Sequence, residues 1–327
     1  MSIGQPDSFP RLLGDIGGTN ARFAIQLVEN GQFEHIQTLA CADYPTPLEA
    51  IEHYLAQTGT QRPRWAAVGI ANPVTGDLVK MTNHHWSFSI EALRSKLQLD
   101  KLLVLNDFTT LALSLPALAK TDLVQIGGGL PVEHAPIALL GAGTGLGVSG
   151  LVPYPGGYAP LEGEGGHVTL PAFNDRESAI VNLIRRDFPH VSAERVLSGL
   201  GLPILYHAIA QLHDLPSEDR TPAQITEQGI ANTCPICTET LATFCAMLGT
   251  VAADLALTLG ARGGVFIGGG IVPKLGAYFE QSPFRTRFEQ KGRFETYLRG
   301  IPTFVIHAKY PALTGAARAL QSASANN

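Results

Sequence analysis

The sequence is short of the features that would place it outside the compact globular proteins. No stretch reaches the roughly 18 uncharged apolar residues of a membrane span, and its start, MSIGQPDSFPR, lacks a basic segment followed by an apolar core. A chain that neither meets nor crosses a membrane, in the cytoplasm, is the expectation. Cysteine is sparse: Cys41, Cys234, Cys237 and Cys245 are too few in 327 residues for a disulfide scaffold and suit a reducing compartment. Charged residues make up 16%, the net charge is −5, and no basic block is present, which argues against a disordered chain or a partner made of nucleic acid. Neither G-x-x-x-x-G-K-[ST] nor G-x-G-x-x-G occurs, so a P-loop NTPase and a standard dinucleotide fold both lose support.

What is present is apolar material cut by glycine. Hydrophobic residues are 45% of a chain longer than a single core usually serves, so two domains are expected. RLLGDIGGTNARFAIQLV reads as strand, glycine turn, strand, and PIALLGAGTGLGVSGLV repeats the pattern further on, which suggests a duplicated α/β fold. IEHYLAQTG has helical spacing, RWAAVGIANPV is a short strand, and LLVLNDFTTLALSLPAL is a buried strand stopping at Asn106 and Asp107 before a helix. GGVFIGGGIVPKL has the form of a strand ending in glycines at the mouth of a helix. YPALTGAARALQS reads as a helix and ASANN as a frayed tail. Ligands of open α/β sheets collect at the carboxyl ends of strands, where all three glycine clusters and the Asn106–Asp107 pair fall.

The first cluster sets an acid, Asp15, beside Gly17 and Gly18. Glycine turns offer N–H groups to an anion, and a carboxylate next to an anion makes electrostatic sense with a cation between them, so the pairing hints at a metal-bound phosphate. Any one such cluster can also be a tight turn and nothing more. Asp107, expected inside the molecule where water is scarce, is a candidate for proton abstraction or an N-cap for the following helix. Asn106 beside it can donate and accept, and so help hold a polyhydroxylated ligand. LEGEGGHVTL offers Glu162, Glu164 and His167. A metal site there wants further ligands, whereas carboxylates and an imidazole suit neighbouring ring hydroxyls. Glu194 in SAERVLSG reads by itself as a helix-start acid. CPIC has the spacing of a redox or zinc half-site, without a second pair, or is simply part of a helix.

Together GDIGGTNARFA, MTNHHWSFS, LNDFTTLALSLP, GAGTGLGV, GEGGHV, SAERVLSG, GGVFIGGGIVPK and KGRF resemble, in order and over nearly the whole chain, the bacterial glucokinases of the hexokinase and actin-like ATPase superfamily. The zinc-binding cysteine motif of the related repressor and sugar kinase group is missing. The resemblance implies a two-domain, actin-like (ribonuclease H-like) α/β fold with a cleft between a small domain, 1–116 plus 308–327, and a large one, 117–307. It implies ATP with Mg²⁺ as donor and glucose as acceptor, in a homodimer. By the same resemblance Asp107 is the base on the sugar 6-hydroxyl, with Asn106, Glu164, His167 and Glu194 as hydroxyl-binding partners. Asp15 takes the metal-side position, acting through water, and Gly17, Gly18 and Thr19 form the first phosphate turn. Gly143, Thr144 and Gly145 form the second, and Gly268, Gly269 and Gly270 match the adenosine-side turn. Glu162 departs from the pattern, which usually has proline there.

Overall fold

The first two apolar runs fold back on each other as a hairpin. In the computed structural model, which describes residues 8–82 and 84–325, β1 (Arg11–Ile16) and β2 (Asn20–Gln26) pair antiparallel, and the Gly17 N–H closes the turn on the Asn20 carbonyl at 2.9 Å. Asn83, within MTNHHWSFS, and the terminal residues 1–7, 326 and 327 lie outside the described residues. β3 (Phe33–Ala40) extends the sheet antiparallel beside β2, and β4 (Trp65–Ile70) lies parallel on the far side of β1. After a separate ribbon of β5 (Leu78–Lys80) and β6 (Ser87–Ser89), β7 (Lys101–Asn106) completes the order β3-β2-β1-β4-β7.

Strand alternation sends neighbouring residues to opposite faces. Leu12, Phe23, Ile25 and Val68 pack with Ile51 and Tyr54 of the helix Pro47–Thr58, while Leu13, Ala24 and Ala67 pack with Leu313, Ala316 and Leu320 of the helix Pro311–Ala325. Covered on both faces, β4 is buried throughout, which is why WAAVGI is continuously apolar. β7, expected as a buried strand, is instead the sheet's edge and mostly half-buried. The C-terminal helix runs past its expected end into the ASA of the tail. Its last turn is held by Arg11 on the Ser324 hydroxyl (3.3 Å), Lys101 on the Ala323 carbonyl (3.1 Å) and Ser324 on the Leu320 carbonyl (2.9 Å). Gly315 brings this helix against Asp107–Ser114: a Cβ there would stand 1.7 Å from the Thr110 carbonyl oxygen.

The chain divides into two compact units, the first running to Leu118 and resuming at Ala308, the second spanning Ala119–His307. The second holds β8 (Leu123–Ile126), β9 (Ile137–Ala142), β10 (Leu146–Tyr154), β11 (Gly157–Leu161), β12 (Val265–Gly268) and β13 (Thr303–Ile306), ordered β11-β10-β9-β12-β13-β8. β9 pairs antiparallel with β10 and parallel with β12, as β1 does with β2 and β4. The fold is α/β with mixed sheets in both units. The core of the second unit is built on the helix Pro235–Leu259, which by length and mean hydropathy, 1.6, could cross a membrane. Glu239 and Asp254 interrupt its uncharged run, and 72% of its apolar window is buried against the unit's own helices and sheet, so it is a core helix.

Candidate active site

Asp15 is the last but one residue of β1, and the hairpin register sets it directly opposite Arg22 of β2. The Arg22 guanidinium reaches the Asp15 carboxylate at 3.4 Å and also donates to the Thr38 hydroxyl at 3.2 Å. Burial pushes the Asp15 carboxyl above its ordinary range, and the Arg22 charge only partly offsets this. Beyond it the Gly17–Thr19 turn is lightly packed. A Cβ on Gly17 would meet nothing nearer than the Asn20 carbonyl oxygen at 3.6 Å. Cys41 anchors the turn from below, its N–H on the Thr19 carbonyl at 2.9 Å.

Asn106 ends β7 and caps the helix Asp107–Ser114, its side-chain oxygen accepting from the N–H groups of Phe108 (2.9 Å) and Thr109 (3.1 Å). This corrects the N-cap reading of Asp107, which is instead the first helical residue, with its carboxylate accepting from Phe108 N–H at 2.9 Å. Asp107 is also half-buried where a buried acid was expected, because it leaves an edge strand and not a central one. At a helix start it faces the positive end of the helix dipole, which favours negative charge. The capping role commits the Asn106 oxygen, leaving its amide to reach the Asn72 carbonyl at 3.4 Å.

In the second unit the candidates converge. The Gly143–Gly145 turn joins β9 to β10 and is clamped from outside: Gly199 N–H donates to the Gly143 carbonyl at 2.7 Å, and the Glu194 carboxylate accepts from the buried Leu146 N–H at 2.8 Å. A Cβ on Gly145 would stand 2.4 Å from that carboxylate. Glu194 rides on the short helix Ala193–Val196, capped by the Ser192 hydroxyl, and its other oxygen is 3.7 Å from His167 Nε2. His167 closes a single 3-10 turn, Gly165–His167, begun by Glu164. Gly166 seats that turn on β10, since a Cβ would be 2.0 Å from the Leu146 carbonyl oxygen. Glu162, Glu164 and His167 are all exposed. Gly268 ends β12 beside Gly141 of β9. Gly269, with φ of 78°, lies so close to Ala142 that a side chain would meet its carbonyl oxygen at 2.3 Å, and Gly270 opens onto free space.

The chain is similar to a known set of proteins. The family model described as glucokinase matches residues 12–323. The glucokinase of Aromatoleum aromaticum is 57% identical over 326 residues, covering 99% of this chain and 98% of its own. The chain belongs to the glucokinase family of enzymes. Among solved structures, a glucokinase from an Antarctic psychrotroph superposes with a TM-score of 0.89 at 36% identity, covering 96% of this chain and 99% of that one. A ROK family glucokinase from Streptomyces griseus, solved with glucose and AMPPNP, shares the fold at a TM-score of 0.62 and 18% identity over 94% of this chain and 98% of its own.

Asp15 is the carboxylate beside the Gly17–Thr19 turn, and among the described residues no group of three or more His, Cys, Asp or Glu side chains could hold a metal by itself. That donor set fits Mg²⁺, which keeps several waters and takes one or two carboxylates plus substrate phosphates. Three contributors escaped the motif reading. Arg22 was legible in principle from hairpin register, and Gly199 as the last letter of SAERVLSG, whereas the Leu146 N–H, a main-chain group, leaves no trace in sequence.

Proposed function

We propose that the chain transfers the γ-phosphoryl group of ATP to the 6-hydroxyl of D-glucose in the cytoplasm. The observation that carries this reading is the full-length match to glucokinases combined with a half-buried aspartate, Asp107, held at a helix start by the Asn106 cap. Asp107 takes the proton of the 6-hydroxyl as that oxygen attacks the γ-phosphorus and ADP leaves. Asn106, through its amide, with Glu164, His167 and Glu194 grips the remaining hydroxyls. The turns Gly17–Thr19 and Gly143–Gly145 present N–H groups to the phosphates, and Gly268–Gly270 takes the adenosine side. Asp15 would hold Mg²⁺ through water, and the cation would supply neutralisation of phosphate charge.

Glucose and water both carry hydroxyls, so we infer that sugar binding draws the two units together over a shared cleft before transfer. ATP hydrolysis without sugar should then be slow, and small-angle scattering should register compaction on adding glucose. The matching strand orders of the two sheets support reading the units as copies of one ancestor, and a homodimer is expected by light scattering. The decisive experiment supplies ATP, Mg²⁺ and a panel of hexoses, with the phosphorylated position read by NMR. Phosphate on the 6-oxygen of glucose supports the reading, and no turnover of any hexose ends it. Asp107→Asn should lower kcat by about 10²–10⁴ while KM for glucose changes less.

A further inference from the structure

Cys234 and Cys237 have no part in that reaction, yet their surroundings are those of a reactive pair. Cys234 is the last residue before the helix Pro235–Leu259, in extended conformation (φ −133°, ψ 113°), and is half-buried, while Cys237 lies one turn on and is buried. Residues three apart are neighbours on a helix, and a disulfide spans about 4.4–6.8 Å between Cα atoms. The two side chains belong to one packing cluster, with Tyr206 and Ile225. Arg220 is fixed beside them, donating to the Tyr206 hydroxyl at 3.0 Å and to the Gln228 side-chain oxygen at 2.8 Å, the same oxygen that Cys237 Sγ approaches at 3.8 Å.

Three conditions lower a thiol's pKa: a helix N-terminus, a neighbouring arginine and a C-x-x-C spacing. Cys234 meets all of them. Burial pushes its thiol up, but the Cys237 N–H and thiol, the Ile236 N–H and the Arg220 charge bring it below its ordinary value. Burial and the Cys234 sulfur push Cys237 the other way, up to about 11. One sulfur is thus prepared to attack and belongs to a half-buried residue, and the other is shielded from solvent.

We propose that Cys234 and Cys237 form a thiol–disulfide exchange site whose reactant is a small-molecule disulfide, Cys234 attacking and Cys237 resolving. The Cys234 thiolate sulfur bonds to one sulfur of the small disulfide, whose S–S bond breaks and whose other half leaves and takes up a proton as a thiol. Cys237 then gives up its proton and its sulfur attacks Cys234 Sγ. The second small thiol leaves, and the Cys234–Cys237 bridge remains. Two protein thiols are oxidised by two electrons and one small disulfide is reduced to two thiols. Cys41 and Cys245 are buried, the latter with its thiol pushed up by burial to about 12, and serve as internal controls.

The test incubates the full-length protein with oxidised glutathione, traps remaining thiols with iodoacetamide in denaturant, and maps peptides by mass spectrometry. The expected result is a bridge between Cys234 and Cys237, reversed by dithiothreitol, with Cys41 and Cys245 alkylated. Cys237→Ser should stop with glutathione held on Cys234, and Cys234→Ser should carry no adduct. Wild-type protein with all four cysteines alkylated, with a lasting adduct on Cys234 and no bridge, or with its first adduct on Cys237 would overturn the proposal, and the wild-type map decides this even if a variant fails to fold.

Discussion

The two glycine hairpins sit at equivalent places in sheets of like order, yet they are held in opposite ways. Around Gly17–Thr19 the neighbouring acid, Asp15, points its charge at a half-exposed Arg22 on the adjacent strand, and the turn itself is open. Around Gly143–Gly145 the neighbouring acid, Glu194, arrives from a distant helix and takes a buried main-chain N–H. A charge-assisted bond to a buried donor is stronger than a half-exposed ion pair, and its loss leaves an unpaired polar group. The second hairpin is therefore braced by the fold itself, while the first is left lightly packed.

The contrast is broken or sharpened by mutation. The largest effect is expected for Glu194→Ala, which orphans the Leu146 N–H and should lower stability by about 1–3 kcal/mol in denaturant titrations. Arg22→Ala, removing the matching ion pair of the first unit, should lower it by only about 0–1 kcal/mol. Equal losses would erase the distinction. Next comes Gly145→Ala, whose methyl must displace the Glu194 carboxylate and should lower stability by about 1–3 kcal/mol. Gly17→Ala finds room and an ordinary backbone conformation, so it should raise stability by up to about 1 kcal/mol, since the unfolded chain loses freedom.

The smallest effect concerns pH. The Asp15 carboxyl is raised in the folded state, so its ionised form weakens the fold. That penalty is absent below the unfolded carboxylate pKa, about 4, grows as pH rises toward the folded value, and is full above it. Asp15→Asn should therefore raise Tm at neutral pH and not at acid pH, while turnover falls. A Tm difference that is the same at both pH values would show that Asp15 carries no such penalty.

Much of this was readable before folding. The strands around each glycine cluster, and the arrival of all three clusters at strand ends, follow from apolar runs interrupted by residues that only turns tolerate. Asp107 was visible as the acid after LLVL, but its neighbour Asn106 took the cap, because the residue just outside a helix has the extended geometry that lets its side chain reach back to the first free N–H groups. Its half-burial was hidden too, since an edge strand and a central one read alike when the residues are apolar.

By itself the sequence determined the local elements, the glycine turns and the family, because each is written in contiguous residues. Only the tertiary structure decided that Glu194 braces a turn 48 residues before it, that Arg22 faces Asp15, and that Gly315 lets the last helix rest on the one bearing Asp107. Those outcomes depend on register and close approach between distant segments, where a main-chain group or a missing side chain does the work and no residue pattern records it.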